Sequence, residues 1–537
     1  MRVLGISGRS RRGAAAIAVD GRIIAAVTDE SVARGADDGD AHPLALPFAA
    51  IRACLSHAGL QSEDIDRVVV EGRDERDLDD TRARWSARAA DPALRGLAAQ
   101  PHVAADTLTA RAAQALLIGG QAHARIAVLD LDGVAGGGIF EANAGQLSPA
   151  RPIEGVHHLS NAIAEVARTL GVAPQVSSLE ALAERGHTDY LAGLREALTY
   201  GDFAIDVSTA ALATTIARAA EDAPGALSDP SPLHVKVRDA RTALAASLVA
   251  RFTEIAGDVV AEAGNGEGVI ASGSAFESAS VVSALQARLG TFRVAPVPGA
   301  FGLALGAAIL GSEGCAASLP NGLAIGPSFT EPDVKEVLDG CRLDYVYEPD
   351  FERIDGRVSR MLSRGKLVAW FQGPMDFGPR SLGGRSILLD PSSRYARENT
   401  NRYLRHRPDD QPPPLVMLSS RTAAVLTDRV SSPLAPVRAR VKEDWRLKLQ
   451  AGVDASGCCR VHTIEPGTSR LAELLAAHEA ESGVPALIHV DLRGLGEPTA
   501  CSPRDAIRTT FSSPVDALVI ERFLLMKDYW LLRSATD

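Results

Sequence analysis

Short apolar runs separated by tight turns open the chain and predict strands rather than helices. Three predicted strands cover residues 3–7, 14–19 and 22–27. The first two are linked by a Gly-rich turn at 8–13, and the last two by Asp20-Gly21, a dipeptide typical of hairpin turns. Helical spacing follows at 49–58, and a fourth strand is predicted at 65–70.

The same order of patterns returns further along the chain. A buried strand is predicted at 126–130, running into Asp132-Gly133 and then a Gly-rich turn at 136–138. Amphipathic spacing predicts helices at 160–170, 178–184 and 239–263. Another strand is predicted at 268–272, before a Gly/Ser turn, and the glycines at 299–306 open a helix. The first part of the chain therefore contains one theme twice.

A cluster of Pro, Asn, Gly and Ser at 320–331 marks a boundary, and the pattern beyond it is again mixed α/β. Helices are predicted at 333–339, 351–364 and 469–481, and strands at 345–347, 367–371 and 484–490, with 517–521 as the final strand. Residues 409–414 read as a rigid loop. We predict an α/β protein with domains at 1–325, in two lobes, and at 326–537.

Composition narrows the class of protein. The chain has 537 residues, too many for one core, and 46% of them are hydrophobic. The net charge of −11 argues against a nucleic-acid partner, and no apolar run approaches the ~20 residues that span a bilayer. Without a signal-peptide layout at its start, the protein is expected to be cytoplasmic. Its six cysteines lack metal-ligand spacing and are expected to be thiols.

The most informative segment is residues 370–391, in which a glycine-rich loop joins two apolar runs. Arg380 and Arg385 supply forked donors suited to phosphate or carboxylate, and Ser386 follows the second arginine. Gly378 and Gly383 would let backbone N–H groups approach an anion. The segment predicts an anion cradle between two core strands; the alternative is a tight turn with its arginines in solvent.

This segment resembles the signature of the ATP-dependent carbamoyltransferases, the family of antibiotic-tailoring and nodulation-factor enzymes. Pro374 and Gly384 depart from the family pattern, which has Arg and Asn there. The resemblance extends along the chain. It implies a large actin/sugar-kinase-like domain similar to threonylcarbamoyl transferases, followed by a smaller domain similar to threonylcarbamoyl-AMP synthase.

The resemblance also implies a two-step reaction in bacterial natural-product or antibiotic biosynthesis. The smaller domain would join carbamoyl phosphate to ATP, giving carbamoyl-adenylate and pyrophosphate. The larger domain, with a metal ion, would pass the carbamoyl group to a hydroxyl or amine of a small molecule. ATP is thus the expected cofactor, while carbamoyl phosphate and a small-molecule acceptor are the expected partners.

The resemblance assigns roles to particular residues. Those implied as catalytic are Arg380, Arg385, Ser386 and Arg407. Those implied as cofactor-binding are Gly378, Gly383, Arg405, Gly273, Gly299, Gly302, Arg11 and Arg12. For Arg11 and Arg12, a solvated run of charge is the alternative. Asp410 and Asp491 would place negative charge where the phosphates are expected.

The metal site implied by the resemblance is eroded. Asp132 fits the strand-end ligand, but Ala113 stands where a histidine is expected and Ala300 where a second carboxylate is expected. One carboxylate does not hold a transition metal. His157 and His158 offer a substitute pair, against which stands a helix beginning at an N-cap on Ser160.

Two further expectations follow from this erosion. His102 and Asp106 have the spacing of one helix face, which is more typical of a surface pair than of a metal site. Function then has three alternatives: a divergent carbamoyltransferase, a non-catalytic scaffold, or altered ATP-dependent chemistry in the C-terminal domain. The chain is expected to form a homodimer or, as a scaffold, to pair with an active homologue.

Overall fold

A computed structural model of the chain provides the coordinates. It describes residues 1–8, 13–33, 46–72, 75–87, 91–119, 123–132, 136–183, 186–223, 227–228, 235–264, 268–290, 293–313, 316–319, 322–407, 411–427, 430, 432–434 and 436–527. Helices and strands alternate along these residues, so the predicted α/β class is confirmed.

The first repeat of the theme contains five strands and four helices. In chain order they are β1 (Arg2–Ser7), β2 (Ala14–Val19), β3 (Arg22–Thr28), α1 (Asp29–Ala33), α2 (Phe48–Ala58), β4 (Arg67–Glu71), α3 (Glu75–Ala87), β5 (His102–Ala105) and α4 (Thr107–Gly119). Asp20 and Gly21, at φ 48° and 75°, form the predicted turn between β2 and β3.

The second repeat is longer because helices are inserted after its first strands. Its elements are β6 (Ala124–Asp130), β7 (Gly136–Asn143), β8 (Gln146–Leu147), β9 (Arg151–Pro152), α5 (Val156–Thr169), α6 (Val176–Ala183), α7 (Leu191–Ala197), β10 (Leu198–Gly201), β11 (Ala204–Val207), α8 (Thr209–Glu221), α9 (Val235–Gly264), β12 (Val269–Ser272), α10 (Ala279–Leu289), β13 (Arg293–Val294) and α11 (Gly302–Gly311).

Strand order shows that the two repeats share one topology. The first sheet has the order β3-β2-β1-β4-β5 and the second has β8-β7-β6-β12-β13. In the first sheet, β1 pairs antiparallel with β2 and parallel with β4. In the second sheet, β6 pairs antiparallel with β7 and parallel with β12. This is the duplicated arrangement that the two-lobed prediction requires.

Close backbone packing fixes helix α11 against strand β1. A Cβ atom on Gly5 would lie 2.3 Å from the carbonyl oxygen of Ala304 and 2.4 Å from the amide nitrogen of Ala308. Only a residue without a side chain permits this approach. The alanine- and glycine-rich sequence of α11, almost all of it buried, is therefore a packing requirement.

The C-terminal part begins with helix α12. Its elements are α12 (Glu331–Gly340), β14 (Val346–Tyr347), α13 (Phe351–Ser363), β15 (Val368–Phe371), β16 (Arg385–Leu389), α14 (Ala396–Glu398), β17 (Leu415–Leu418), α15 (Thr422–Val425), β18 (Val437–Arg440), α16 (Glu443–Arg446), β19 (Cys458–Ile464), α17 (Arg470–Ser482), β20 (Ala486–Asp491), α18 (Pro503–Phe511), β21 (Ala517–Ile520) and β22 (Phe523–Met526).

These strands form one nine-stranded mixed sheet with the order β14-β22-β21-β15-β16-β20-β17-β19-β18. Helices α13 and α17 cover it, and their apolar residues share a core with Trp370 and Leu388. Strand β15 is buried along its whole length, which explains why it reads as a continuous apolar run.

The chain divides into two compact units. Unit 1 comprises Met1–Ile23, His42–Leu46 and Ser62–Leu319, and unit 2 comprises Ile24–Ala41, Pro47–Gln61 and Pro320–Asp537. The second unit thus takes two short N-terminal segments that the linear domain prediction leaves with the first. The predicted limits of 1–325 and 326–537 stay predictions.

Two local expectations are wrong. Residues 136–138 do not form a turn but begin strand β7, because their small side chains let β7 pair along all of β6. Strand β21 is not the last, since β22 pairs with it antiparallel. Among the described residues, no helix combines the length and the apolar character needed to cross a membrane.

We expect Gly5→Ala to destabilise unit 1 by about 1–3 kcal/mol, because the new methyl group collides with the backbone of α11. Urea unfolding followed by circular dichroism measures the loss. Gly201→Ala is the matched control, since its Cβ meets no atom within 4 Å. Equal stability of the two variants would contradict the packing argument.

Candidate functional site

The predicted cradle is the loop between β15 and β16. These strands pair antiparallel, with Phe371 opposite Arg385 and Trp370 opposite Ser386. Gly373, Gly378 and Gly383 have φ values of 58°, 134° and 145°, which side chains strongly disfavour. The glycines are therefore explained by backbone conformation, and the predicted contact of Gly378 and Gly383 with a cofactor stays a prediction.

Several backbone donors of this loop are bonded to carboxylates of the protein itself. Asp376 Oδ2 accepts hydrogen bonds from the N–H groups of Leu382 at 2.9 Å and Gly384 at 3.0 Å, and from the hydroxyl of Ser381 at 3.2 Å. A carboxylate held by several N–H groups behaves like a bound anion.

Two distant carboxylates take further donors of the loop. The N–H group of Gly373 donates to Glu521 Oε1 at 2.9 Å, and that of Ser381 donates to Asp491 Oδ1 at 2.9 Å. These N–H groups therefore already have partners within the fold. An anion at this loop would have to contact side chains or other backbone groups, and the anion cradle stays a prediction.

Arg385 lies inside the sheet and is fully buried. Its guanidinium donates to the carbonyl oxygens of Gln372 at 2.9 Å, Gly384 at 3.0 Å and Pro327 at 3.3 Å, and it stacks on Phe371. Burial lowers the pKa of Arg385 to about 10. In this geometry its donors hold the ends of the loop together instead of facing a ligand.

Ser386 is also fully buried, and it takes part in a chain of hydroxyl and imidazole groups. Its Oγ lies 3.1 Å from Ser381 Oγ and 2.8 Å from His489 Nε2. Burial, and then the charge of His462, lowers the pKa of His489 to about 3, so this imidazole is neutral near pH 7. The contacts of Ser386 are structural, and its predicted catalytic role stays a prediction.

Five arginines gather at one edge of the C-terminal sheet, next to the loop. The start of β16, the end of β20 and the starts of β17 and β19 meet at this edge, because Ser386 pairs with Asp491 and Leu415 pairs with both Ile488 and Val461. We call the group the cationic edge; its members are Arg380, Arg405, Arg407, Arg460 and Arg493.

Mutual electrostatic effects show that these arginines act on one another. Burial, and then the charges of Arg380, Arg460 and Arg493, lowers the pKa of Arg407, while Asp491 opposes the shift. Burial also lowers the pKa of Arg405 to about 10. By accessible area Arg380 and Arg407 are both exposed, so the edge opens to solvent, while surrounding protein still removes enough water from Arg407 to lower its pKa.

Asp491 is the carboxylate that acts on both Arg405 and Arg407. It lies 3.6 Å from Arg493 Nε, and its backbone oxygen accepts from Arg405. The charge of Asp491 thus acts against the effect that the neighbouring arginines have on Arg407. The predicted repulsion of phosphate by Asp491 stays a prediction, and Asp410 lies outside the described residues.

In unit 1, Asp132 lines a small cavity with Leu131, Ser160, Ser274 and Glu277. Its volume of about 30 Å³ accommodates roughly two water molecules. Within the described ranges, no group of three or more His, Cys, Asp or Glu side chains is arranged to hold a metal ion. The residues present do not fit the metal that the family resemblance implies.

The histidine alternatives are placed elsewhere. His157 and His158 are exposed, with ring centroids 3.8 Å apart. Helix α5 begins at Val156 after Gly155, so the predicted N-cap at Ser160 is wrong; the Ser160 hydroxyl donates to the Leu131 oxygen at 3.0 Å.

His102 and Asp106 do not share a helix, contrary to expectation. His102 begins strand β5, and its Nδ1 lies 2.8 Å from the carbonyl oxygen of Gln100. Asp106 precedes α4 and accepts from the N–H group and the hydroxyl of Thr109 at 3.0 Å each. Asp106 is thus the cap of α4, a role that its position before an apolar run indicates.

The glycines predicted to bind a cofactor in unit 1 stand at close approaches. A Cβ on Gly273 would lie 2.3 Å from Leu129 O, on Gly299 1.7 Å from Glu277 Oε1, and on Gly302 1.9 Å from Val297 O. Packing alone explains these glycines, and their cofactor role stays a prediction. Arg11 and Arg12 lie outside the described residues.

Comparison with known proteins identifies the C-terminal part. Residues 359–527, which include the loop and the cationic edge, match the family model for the carbamoyltransferase C-terminus. The resemblance predicted from the signature segment is confirmed: this part of the chain is similar to the C-terminal part of carbamoyltransferases.

Curated relatives match over limited segments. An uncharacterized Synechocystis protein, sll1178, is 31% identical over 38% of this chain and 37% of its own length. Nodulation protein NolNO of Sinorhizobium fredii is 27% identical over 42% and 34%. The 3'-hydroxymethylcephem-O-carbamoyltransferase of Amycolatopsis lactamdurans is 32% identical over 26% of each chain. The matched segments thus cover 37%, 34% and 26% of the lengths of these three relatives.

Solved structures show weaker likeness. The activator of 2-hydroxyisocaproyl-CoA dehydratase from Clostridium difficile, with bound ADPNP, aligns with 58% of this chain and 95% of its own at 17% identity and a TM-score of 0.32. A ROK hexokinase from Thermus thermophilus aligns at 15% identity over 57% and 98%, with a TM-score of 0.27. The fold assignment of unit 1 rests on the duplicated strand order and not on these scores.

Several site residues escape sequence reasoning. Asp376 stands within the signature loop, and its position among glycines was a usable signal. Glu521 directly follows β21, more than a hundred residues from the loop, so only the sheet order reveals it. Asp491 ends β20, and its bond to the loop is revealed in the same way. Arg460 and Arg493 likewise join the cationic edge through strand pairing.

Acid should destabilise the C-terminal sheet through His489. The folded pKa of about 3 lies below the ordinary value of 6.5, so the unfolded chain binds a proton first as the pH falls. Between pH 6.5 and pH 3, each unit by which the pH falls therefore lowers the free energy of unfolding by about 1.4 kcal/mol. We expect His489→Gln to flatten the fall in unfolding free energy between about pH 6.5 and pH 5.

Urea titrations at several pH values measure this slope. His158→Gln removes an exposed imidazole and serves as the control, which should keep the wild-type slope. An unchanged slope in His489→Gln would show that this imidazole is not the responsible group.

Proposed function

We propose that this chain is a carbamoyltransferase whose C-terminal unit binds carbamoyl phosphate and ATP at the cationic edge and forms carbamoyl-adenylate. The carbamoyl group then passes to the hydroxyl or amine of a small molecule. The observation that carries the proposal is the cationic edge, because it lies within the segment that matches the carbamoyltransferase C-terminal model.

The proposed chemistry balances without further reagents. Carbamoyl phosphate loses phosphate to water and gives carbamate. A carbamate oxygen attacks the α-phosphorus of ATP, the bond from that phosphorus to the bridging oxygen breaks, and pyrophosphate leaves with the electron pair. The acceptor oxygen or nitrogen then attacks the carbamoyl carbon, and AMP departs. Every anion in this sequence is a phosphate or a carboxylate, the groups for which arginine forks are suited.

Electrostatics favour a polyphosphate over a simple anion. The arginines of the cationic edge repel one another in the free protein, because the charges of Arg380, Arg460 and Arg493 add to the effect of burial in lowering the pKa of Arg407. A ligand with several negative charges removes that repulsion and releases binding energy that a singly charged ion does not supply. Charge that develops on the leaving pyrophosphate would be stabilised in the same way.

The acceptor class rests on the relatives. The Amycolatopsis relative is named as an O-carbamoyltransferase of a hydroxymethyl group. A hydroxyl acceptor is therefore the first to test here. The nodulation and cephem names of the relatives support a role in small-molecule biosynthesis.

A second candidate is a non-catalytic subunit that pairs with an active homologue. It is favoured by one observation: Asp376, Asp491 and Glu521 already occupy the backbone donors of the signature loop. In this case the cationic edge would still bind an anion, but no pyrophosphate would be formed. Turnover, rather than binding, separates the two candidates.

We expect the full chain to catalyse exchange of labelled pyrophosphate into ATP when carbamoyl phosphate is present. Arg407→Ala should lower this exchange by about tenfold or more, because a charge-assisted hydrogen bond to phosphate contributes about 1.5–3 kcal/mol. Arg380→Ala should have a similar effect. Calorimetric titration with tripolyphosphate measures binding separately from turnover.

Arg402→Ala is the matched control. This arginine lies in the same chain segment as Arg405, but it is exposed and paired with Glu398 at 3.2 Å, outside the cationic edge. Wild-type exchange in Arg407→Ala would exclude the cationic edge as the site. Tripolyphosphate binding without any exchange in the wild type would favour the non-catalytic candidate.

A further inference from the structure

Unit 1 contains a buried cation of its own. Arg111 on helix α4 is 1% exposed, and so is Asp130 at the end of β6. Their side chains form a two-pronged ion pair, with Nε donating to Oδ2 at 3.0 Å and Nη2 donating to Oδ1 at 3.1 Å. Such a bidentate pair is among the strongest charge-assisted contacts.

The remaining donors of Arg111 reach a third part of the fold. Nη1 donates to the carbonyl oxygen of Pro298 at 2.9 Å and to that of Gly299. Both residues belong to the loop that leads into α11. One guanidinium therefore joins a helix, a strand end and a loop.

Further groups complete the surroundings of this cation. The N–H group of Ser274, after β12, donates to Asp130 Oδ1 at 3.1 Å. Glu71 at the end of β4 is also buried, and it accepts from Thr107 Oγ1 at 3.2 Å. Its charge is close enough to act on Arg111. Four strand ends and loops thus present oxygen atoms or N–H groups around a single positive charge.

We propose that the Arg111 guanidinium is the resident cation of unit 1 and stands in place of a bound metal ion. The carboxylate and carbonyl oxygens that surround it are the kinds of atom that hold a hard metal ion, and here N–H groups satisfy them. Unit 1 is therefore independent of metal.

The residues at the implied ligand positions support the replacement of a metal ion by Arg111 rather than the simple loss of that ion. The positions where ligands are implied by the family resemblance carry Thr109, Ala113 and Ala300, and none of these side chains is a strong metal ligand. Thr109 also gives its hydroxyl to Asp106. A divalent ion placed beside the buried guanidinium would be repelled strongly, because little solvent separates the charges.

This inference does not rest on the function proposed for unit 2. Formation of carbamoyl-adenylate at the cationic edge concerns other residues, so either proposal can fail while the other holds.

The first test measures metal in the full chain. The wild-type protein is incubated with Mg²⁺, Mn²⁺, Fe²⁺ and Zn²⁺ in turn, desalted and assayed by inductively coupled plasma mass spectrometry. We expect substoichiometric metal, and a melting temperature that EDTA leaves unchanged. One equivalent of metal that Asp132→Asn abolishes, with a melting temperature that EDTA lowers, would overturn the proposal.

The second test replaces the cation. Arg111→Ala should lower the melting temperature by many degrees, because it leaves the buried Asp130 unpaired. Millimolar guanidinium ion should restore part of that loss, while sodium at equal ionic strength should not. The matched control is Arg67→Ala, whose partly exposed guanidinium pairs with Glu313 at 2.9 Å and leaves no buried charge behind. A folded Arg111→Ala protein without this rescue would overturn the proposal.

A third variant covers the case in which Arg111→Ala does not fold. Removing both charges in Arg111→Met/Asp130→Leu should give a protein that melts several degrees above Arg111→Met alone, because no unpaired carboxylate remains. A double variant that is no more stable than the single variant would show that the pair does not act as cation and counter-charge.

Discussion

A guanidinium removed from water must find acceptors, and this constraint shapes both units of the chain. In unit 1, Arg111 binds Asp130 and two loop carbonyl oxygens. In unit 2, Arg385 binds carbonyl oxygens on both sides of the signature loop. Leaving either charge unpaired would cost several kcal/mol, so the surrounding backbone is held to the positions that satisfy it.

The two buried arginines differ in how their charges are balanced. Arg111 has a carboxylate partner, so its charge is balanced locally. Arg385 meets mainly carbonyl oxygens and an aromatic ring, which accept hydrogen bonds without cancelling its charge. The loop that it braces instead contains Asp376, and the N–H groups around Asp376 fix that carboxylate in turn. The loop is thus held by bonds within the fold, and the proposed function therefore assigns ligand binding to its exposed neighbour Arg380 and the rest of the cationic edge.

Sequence patterns predicted the elements but not the partners. The apolar run before the loop and the one after it became β15 and β16, because continuous burial leaves a clear signature. Strands β17, β18 and β19 were missed: β17 has only four residues, and polar residues interrupt the apolar pattern of β18 and β19. Arg111 and Asp130 were both visible in the sequence, nineteen positions apart. The histidine that the family resemblance implies would stand at Ala113, two residues after Arg111, whose side chain occupies this part of the fold.

Long-range pairing explains the remaining difference between prediction and structure. Arg460 and Arg493 have no local signal that distinguishes them from surface arginines, and only the order of strands brings them beside Arg407. The net charge of −11 conceals the same feature, because it averages over the whole chain. Charges act on one another over roughly 8 Å at physiological salt, so the arginines beside Arg407 create a local field that the total charge does not reveal. Asp491 acts against that field. Under the proposed function a weakly charged ligand would therefore gain little at this edge, whereas a polyphosphate would contact several arginines despite the one carboxylate.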